Sequence, residues 1–503
     1  MMSLTLTIFN LKAMKRTCLV LVLVATSLLL SAQQWEIGFG SPDTYTSLYG
    51  GIMDSEQNIV FCGKSGPNRT DQYPYFIRVD QDGNHRSYAL EDEQFHNLGK
   101  CSLVQMKNGN FFMLCPKDGN ALYAVVLDPD FHVLSCKRYD KPEDALDMKG
   151  GHLLLDHDGT VVLAGCYRPH ANSWGNHYFL RFNSDADTIA SRFHTTETQP
   201  NITTFDGLTQ LLSDPQTGGY ILLGNGIHGG ESVMRFDRDF NYVSGYQLYL
   251  NRESFSTAYS DHWLSDGRLL VMGRAHSNWD NNLEIVGMTR VGLDGPMEPI
   301  ERIYISSDTI LQTQNRYMAY YNDTTIYGAI GCSASLGGPA TTRICLLDTE
   351  MELLGLKTIT TEESENYAPG SIFSTPDGGC IISVMEHYAF AENHVKGKII
   401  KLSREDFNPI PVGVKEMPQK AIKALAYPNP AKDELHIDIS GLPENKEHRI
   451  QITDALGHIW MDRIIRGSGN LLTVGVSSFS PGVYTYLIYN DENKVITGKF
   501  IKH

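Results

Sequence analysis

Short apolar runs, each entered through a polar turn, recur along the middle of this chain and set its architecture. The runs end residues 57–63, 108–114, 158–165, 218–224, 266–273, 325–331 and 377–383. Most begin with an Asn-Gly, Asp-Gly or Gly-Gly turn and continue in β-branched, aliphatic or aromatic residues, which is the pattern of a buried strand. Each is followed by a second run, at 75–80, 123–128, 178–183, 233–237, 285–289, 344–348 and 398–402, and most of these close on an acidic or polar hairpin. Gly63 and Gly165 lie two repeats apart and Gly224 and Gly273 one. The period is therefore close to the ~40–50 residues of propeller repeats. A strand–turn–strand–loop–strand–turn–strand unit cannot bury both of its faces alone, so seven such units are expected to stack radially into a closed ring. The pattern predicts an all-β chain with a seven-bladed β-propeller over residues 33–412. Trp35–Phe39 reads as an unpaired strand that completes the last blade against Lys398–Leu402, because Asn408-Pro409-Ile410-Pro411 is too proline-rich to bond a ladder well. A clasp of this kind removes an exposed edge.

Both ends of the chain depart from the repeat. Beyond a connector at 413–425, Leu435–Ile439 and Arg449–Ile452 alternate apolar and polar at strand period, with turns at Asp454–Gly457, Ser480–Gly482 and Asn490–Asn493. Residues 426–503, with Tyr427-Pro428-Asn429-Pro430, Gly457, Gly482, Tyr484 and Lys499, closely resemble the type A C-terminal sorting domain of Bacteroidetes type IX secretion cargo. That resemblance implies a small β-sandwich, the type IX machinery as partner, passage from the periplasm across the outer membrane, and a secreted or surface location. It also implies removal of the tail followed by attachment to surface polysaccharide or release. At the other end Lys12, Lys15 and Arg16 precede an apolar run from Cys18 to Leu30 that closes on Ser31-Ala32, the layout of a cleavable leader over residues 1–32. The run is too short for a membrane anchor, and nothing later has the length and apolarity of a span. The central repeats loosely resemble the DG-turn propeller repeats of exported Bacteroidetes proteins, which implies an architecture and no activity.

The formal net charge of −16, made more negative by loss of the leader, disfavours a nucleic-acid partner. Eight cysteines follow the leader, from Cys62 to Cys380, and several sit in or just after apolar runs, where a thiol behaves as a small hydrophobe. Mostly unpaired core cysteines are expected, with Cys332 and Cys345 as the local bridge. No Cys-x-x-Cys pair supports structural zinc. His152 and His157 fall on opposite faces of a strand, so Asp156-His157-Asp158-Gly159 reads as a polar turn. Acid pairs such as Asp80 with Asp82 and Asp237 with Asp239 lack the full spacing of a calcium loop and read as hairpin acids. No metal and no cofactor is expected.

Candidate chemistry gathers on one rim. The loops joining the second and third strands of a blade, and those joining one blade to the next, share that rim. The first kind carries Tyr167, His170, Trp174, His228, His276, Trp279, His387 and Tyr388. Aromatic, histidine and amide side chains on loops suit stacking and hydrogen bonding to a glycan, a peptide or a protein. The blade-to-blade loops add acids, as in Glu91-Asp92-Glu93. The alternative is that these side chains pack the loops on themselves. There is no GxSxG elbow, no HExxH and no phosphate-cradling glycine loop. An exported binding protein is the reading that follows, with a propeller polysaccharide hydrolase or lyase, using rim or channel carboxylates, as the alternative.

Overall fold

The computed structural model describes residues 34–503 apart from 42, 170–174, 196–207, 226–230, 251–252, 278–282, 294–300, 307–308, 313–317, 335–340, 361–365, 388–394, 410–421, 424–425, 440–446, 455–458, 467–470 and 490–495. Among these the only helical segments are two single 3₁₀ turns, Glu93–Phe95 and Arg404–Asp406. The chain divides into two compact units, 1–410 and 411–503.

In the first unit the strands form consecutive antiparallel sets. The second set is typical, with Ser102–Gln105, Phe111–Lys117, Ala121–Leu127 and Val133–Asp140 hydrogen-bonded in chain order. The third runs Asp147–Leu155, Val161–Arg168, Asn176–Phe182 and Thr188–Phe193, and the fourth Leu208–Ser213, Tyr220–Asn225, Glu231–Phe236 and Tyr242–Gln247. The first strand of each set packs against the first strand of the next, and Asn366–Ser374, which opens the last set, returns to Tyr45–Met53, which opens the first. The unit is therefore a β-propeller. Each apolar run singled out in the sequence is a second strand, and second strands are the most completely buried: Val161, Val162, Leu163 and Ala164 are fully enclosed, as are Phe111, Phe112 and Met113.

The N-terminal strand Trp35–Phe39 pairs antiparallel with Val395–Leu402, from Trp35 opposite Lys401 to Phe39 opposite Gly397. Ile37 and Phe39 enter a core with Phe61 and Ile77 of the first set and Phe373, Ile381 and Ile399 of the last. The Trp35 indole donates to the Gln81 carbonyl at 3.1 Å, and the Lys401 ammonium reaches the same carbonyl at 2.9 Å. The clasp thus joins the ends of the ring. Asn408-Pro409 does bond, contrary to expectation, but on the neighbouring set: it adds to the outer strand Leu353–Thr360, opposite Leu356 and Gly355.

The hairpin turns share one geometry. An Asp or Asn opens many of them and accepts from N–H groups two and four residues on, as Asp80 does from Asp82 and Asn84, both at 2.9 Å. These acids close turns, as read from the sequence. Three residues after the turn opens, the backbone enters the left-handed region. Between first and second strands that position is often glycine, as at Gly109 and Gly159, both with φ of 89°. Between third and fourth strands it is more often a residue with a side chain, among them Phe131 (φ 63°) and Phe240 (φ 64°). Phe131 stacks on Phe76 of the preceding set at 4.8 Å and on Phe111 of its own at 4.9 Å. Phe240 lies against Phe179 in the same way, at 5.0 Å.

The cysteine expectation is corrected. Cys101 and Cys115 form a disulfide across adjacent strands, beside the Ser102–Leu114 pair, with Cα atoms 4.3 Å apart. Cys332 stands opposite Thr341 and Cys345 opposite Gly328. Four residues of ladder, about 13 Å, separate those two positions, well beyond the ~7 Å a bridge spans.

Unit 411–503 is a two-sheet sandwich. Its larger sheet orders Ile422–Lys423, Ile496–Lys502, Gly482–Tyr489, Glu447–Asp454 and Ile459–Arg466, and the smaller one Ala426–Tyr427, Glu434–Asp438 and Leu471–Gly475. Leu435, Ile437, Ile450, Ile452, Val474, Tyr484, Tyr486 and Phe500 fill the space between them.

Candidate functional site

The loops expected to carry the rim are largely outside the described residues, and so are His170, Trp174, His228, Trp279 and Tyr388. His276 and His387 are placed by backbone alone. His276 stands opposite Ser254 and Glu284, and His387 opposite Asn366 and Val395. Tyr167 is described in full. It is buried, its hydroxyl donates to the His194 carbonyl at 2.8 Å, and its ring meets Tyr178 and Phe193 edge-on. Both its ring and its hydroxyl are engaged in the fold.

What the structure brings together at this rim is a polar cluster in the third set, at the strand ends that flank residues 170–174. Register sets Cys166 opposite His177 and Tyr167 opposite Asn176, and the His194 N–H donates to the His177 carbonyl at 2.9 Å. Asn176, His177 and His194 are all buried. Cys166 Sγ lies 3.4 Å from His177 Nδ1, and His194 Nε2 donates to the Phe240 carbonyl at 2.9 Å. Asn176 Oδ1, His177 Nε2, His194 Nδ1 and Asp147 Oδ1 have no hydrogen-bond partner among the described residues. The second oxygen of Asp147 pairs with Arg168 at 2.5 Å. Burial, with the neighbouring His194 adding to it, pushes the His177 pKa down to about 3. Burial pushes His194 down to about 4, against the opposing effect of its bond to Phe240. Both rings are neutral at neutral pH, able to donate or accept a hydrogen bond and poorly suited to carry a proton. The sequence signal for this cluster was weak, because three isolated polar residues in or beside apolar strands look like ordinary strand alternation.

A cavity of about 660 Å³ opens on the opposite rim, where the first three sets converge, floored by Ile52, Met53, Val104, Met106 and Leu155. Its polar groups are committed to the fold. Asp54 accepts from the backbone of Glu56 and Asn58 and pairs with Arg78 at 2.5 Å. Gln105 accepts from the Ser55 N–H at 2.6 Å and donates to the Gly109 carbonyl at 3.0 Å, and Lys107 donates to the His157 carbonyl. His157 itself bonds Asp156 at 2.6 Å, in keeping with a polar turn. Among the described residues no group of three or more His, Cys, Asp and Glu side chains is placed to hold a metal ion. No helix there is long and apolar enough to cross a membrane.

Comparison with known proteins adds an identification for the second unit. Residues 425–503 match the family model of the secretion system C-terminal sorting domain. The chain is cargo of the type IX secretion system, and its destination is the outer-membrane surface or the medium. No curated protein matches the chain. Among solved structures it is similar to a protein of unknown function from Dyadobacter fermentans, at 9% identity over 73% of this chain and 98% of that one, with a TM-score of 0.44. It is similar also to the BP39L lectin of Burkholderia pseudomallei, at 8% identity over 71% and 98%, TM-score 0.42. A third is PorZ, a surface component of the type IX secretion system of Porphyromonas gingivalis, at 13% identity over 93% and 59%, TM-score 0.37. TM-scores this low carry no functional inference.

Proposed function

We propose that the chain is an exported binding protein, with a leader at residues 1–32, a seven-bladed ring at 33–412 and a connector at 413–425 before the sorting domain. The rim that bears loops 170–174, 226–230, 278–282 and 388–394 meets a glycan, peptide or protein outside the cell. The supporting observation is the set of buried polar atoms of Asn176, His177 and His194 that lack a partner among the described residues, at the strand ends beside loop 170–174. Buried polar groups are nearly always hydrogen-bonded, and a bound water or a ligand polar atom is what completes such a set. His170 and Trp174, in the sequence between Arg168 and Asn176, are the residue types that sugar or peptide recognition uses for stacking and hydrogen bonding. The depressed pKa values of His177 and His194 favour binding over acid–base catalysis at this rim.

A glycan and peptide array on the mature protein, run beside a hydrolysis screen, tests the proposal. Trp174→Ala with Trp279→Ala is expected to weaken binding of the ligand so found by about tenfold or more, as loss of an aromatic anchor does, while Tm stays within about 2 °C because the proposal makes these side chains ligand contacts and not part of a core. A fall in Tm of several degrees with binding untouched would assign these tryptophans to loop packing and end the rim reading.

A further inference from the structure

In the sorting domain Tyr484 and Phe500 point into the sandwich and stack at 5.4 Å, so alternation turns their neighbours Val483 and Ile501 outward. Outward positions on such a sheet are usually polar, yet these two are 49% and 46% exposed. They stand directly opposite one another on adjacent strands.

Their pairing is of the closer of the two antiparallel kinds, for a physical reason. The Ile501 N–H donates to Asn429 Oδ1 at 2.9 Å, and the Ile501 carbonyl accepts from the Ala431 N–H at 2.7 Å. Both backbone groups of Ile501 therefore point away from Val483, which makes Val483–Ile501 a non-hydrogen-bonded pair, the kind in which facing side chains approach most closely. The His503 N–H donates back to the Ala431 carbonyl at 2.9 Å, so the Asn429–Ala431 segment holds the end of the final strand on its far side. Ile422–Lys423 covers the same strand further along, at Ile496 and Thr497. With that edge engaged at both places, little of it is left for strand addition, and the final strand also offers its face. The next pair along that face, Thr485 and Lys499, returns to polar residues and borders the apolar pair on one side.

We propose that Val483 and Ile501 form the contact by which the type IX machinery engages this cargo: a rigid apolar knob, presented by the Asn429 latch, that seats in an apolar socket on a folded protein of the export apparatus. The partner follows from the sorting-domain match, and the proposal is independent of what the propeller binds.

The test uses the full chain in a bacterium with active type IX secretion, with surface plus medium and periplasmic fractions measured separately. Val483→Lys with Ile501→Lys is expected to cut the exported fraction by about tenfold or more, as burying charge in place of an apolar anchor does. The cargo should accumulate in the periplasm with the sorting domain still folded by circular dichroism. Export at the native level would overturn the proposal. If that variant unfolds, Val483→Ala with Ile501→Ala decides: reduced export upholds the contact and native export overturns it. The latch has its own readout, since Asn429→Asp keeps an acceptor for Ile501 and should export normally while Asn429→Ala should not. Loss of a dimer in sedimentation, with export unchanged, would make the pair a self-association surface and defeat the proposal.

Discussion

His177 and His194 show how far a single side chain's environment can be read into the behaviour of the ring. Each is enclosed in the third set, and each has its folded-state pKa held below the ~6.5 of an unfolded histidine. Between that value and about 4, the unfolded chain takes up protons that the native ring refuses, so native stability falls as the pH falls through this window. The loss amounts to ~1.4 kcal/mol per histidine per pH unit. The drop in Tm from pH 7 to pH 5 should accordingly be smaller in His177→Asn than in the native chain, and equal drops would mean that His177 is protonated without cost. Phe131 and Phe240 are the other lesson at this scale. A left-handed backbone at a residue other than glycine costs ~1–2 kcal/mol, whereas burying a phenylalanine returns ~1.5–3 kcal/mol before stacking is counted. Packing wins at these turns. Sequence rules that look for Gly in a tight turn cannot see it, because the deciding contacts with Phe76 and Phe179 come from another set.

At the scale of elements, the strands were legible and the side-chain rim was not. Second and third strands are buried on both faces, so they leave continuous apolar runs that read plainly in the sequence. Outer strands such as Val133–Asp140 and Thr188–Phe193 are half exposed and leave weaker marks. The polar cluster of Asn176, His177 and His194 was invisible, since it depends on register between strands. So was the Cys101–Cys115 bridge, which needs Ser102 and Leu114 as a neighbouring pair. The clasp was legible because the chain offered one spare strand and the last set lacked one. Removing residues 34–40 takes away a five-residue antiparallel ladder and the buried side chains of Ile37 and Phe39. At ~1.5–3 kcal/mol per core side chain, Tm should fall by roughly 5–10 °C. An unchanged melting curve would mean that the ring closes without this strand.

For the molecule as a whole, the division of labour follows from two separately built cores. The core of 411–503 is composed of Leu435, Ile437, Ile450, Ile452, Tyr484, Tyr486, Phe500 and their neighbours, all from within that unit. The clusters of the ring, including the one that closes it through Ile37, Phe39 and Phe373, are likewise complete within 34–410. Ending the chain after Leu425 therefore removes no side chain from a propeller core, and Tm of the ring should change by less than about 2 °C, the range of substitutions that leave a core untouched. Export should fail all the same, because the part that matches a sorting domain is gone. The truncated protein should be found folded in the periplasm, resistant to protease, with none on the surface or in the medium. A folded ring that still reaches the surface would place export information inside 34–410, whereas a ring that unfolds on truncation would mean that the two units depend on one another for stability.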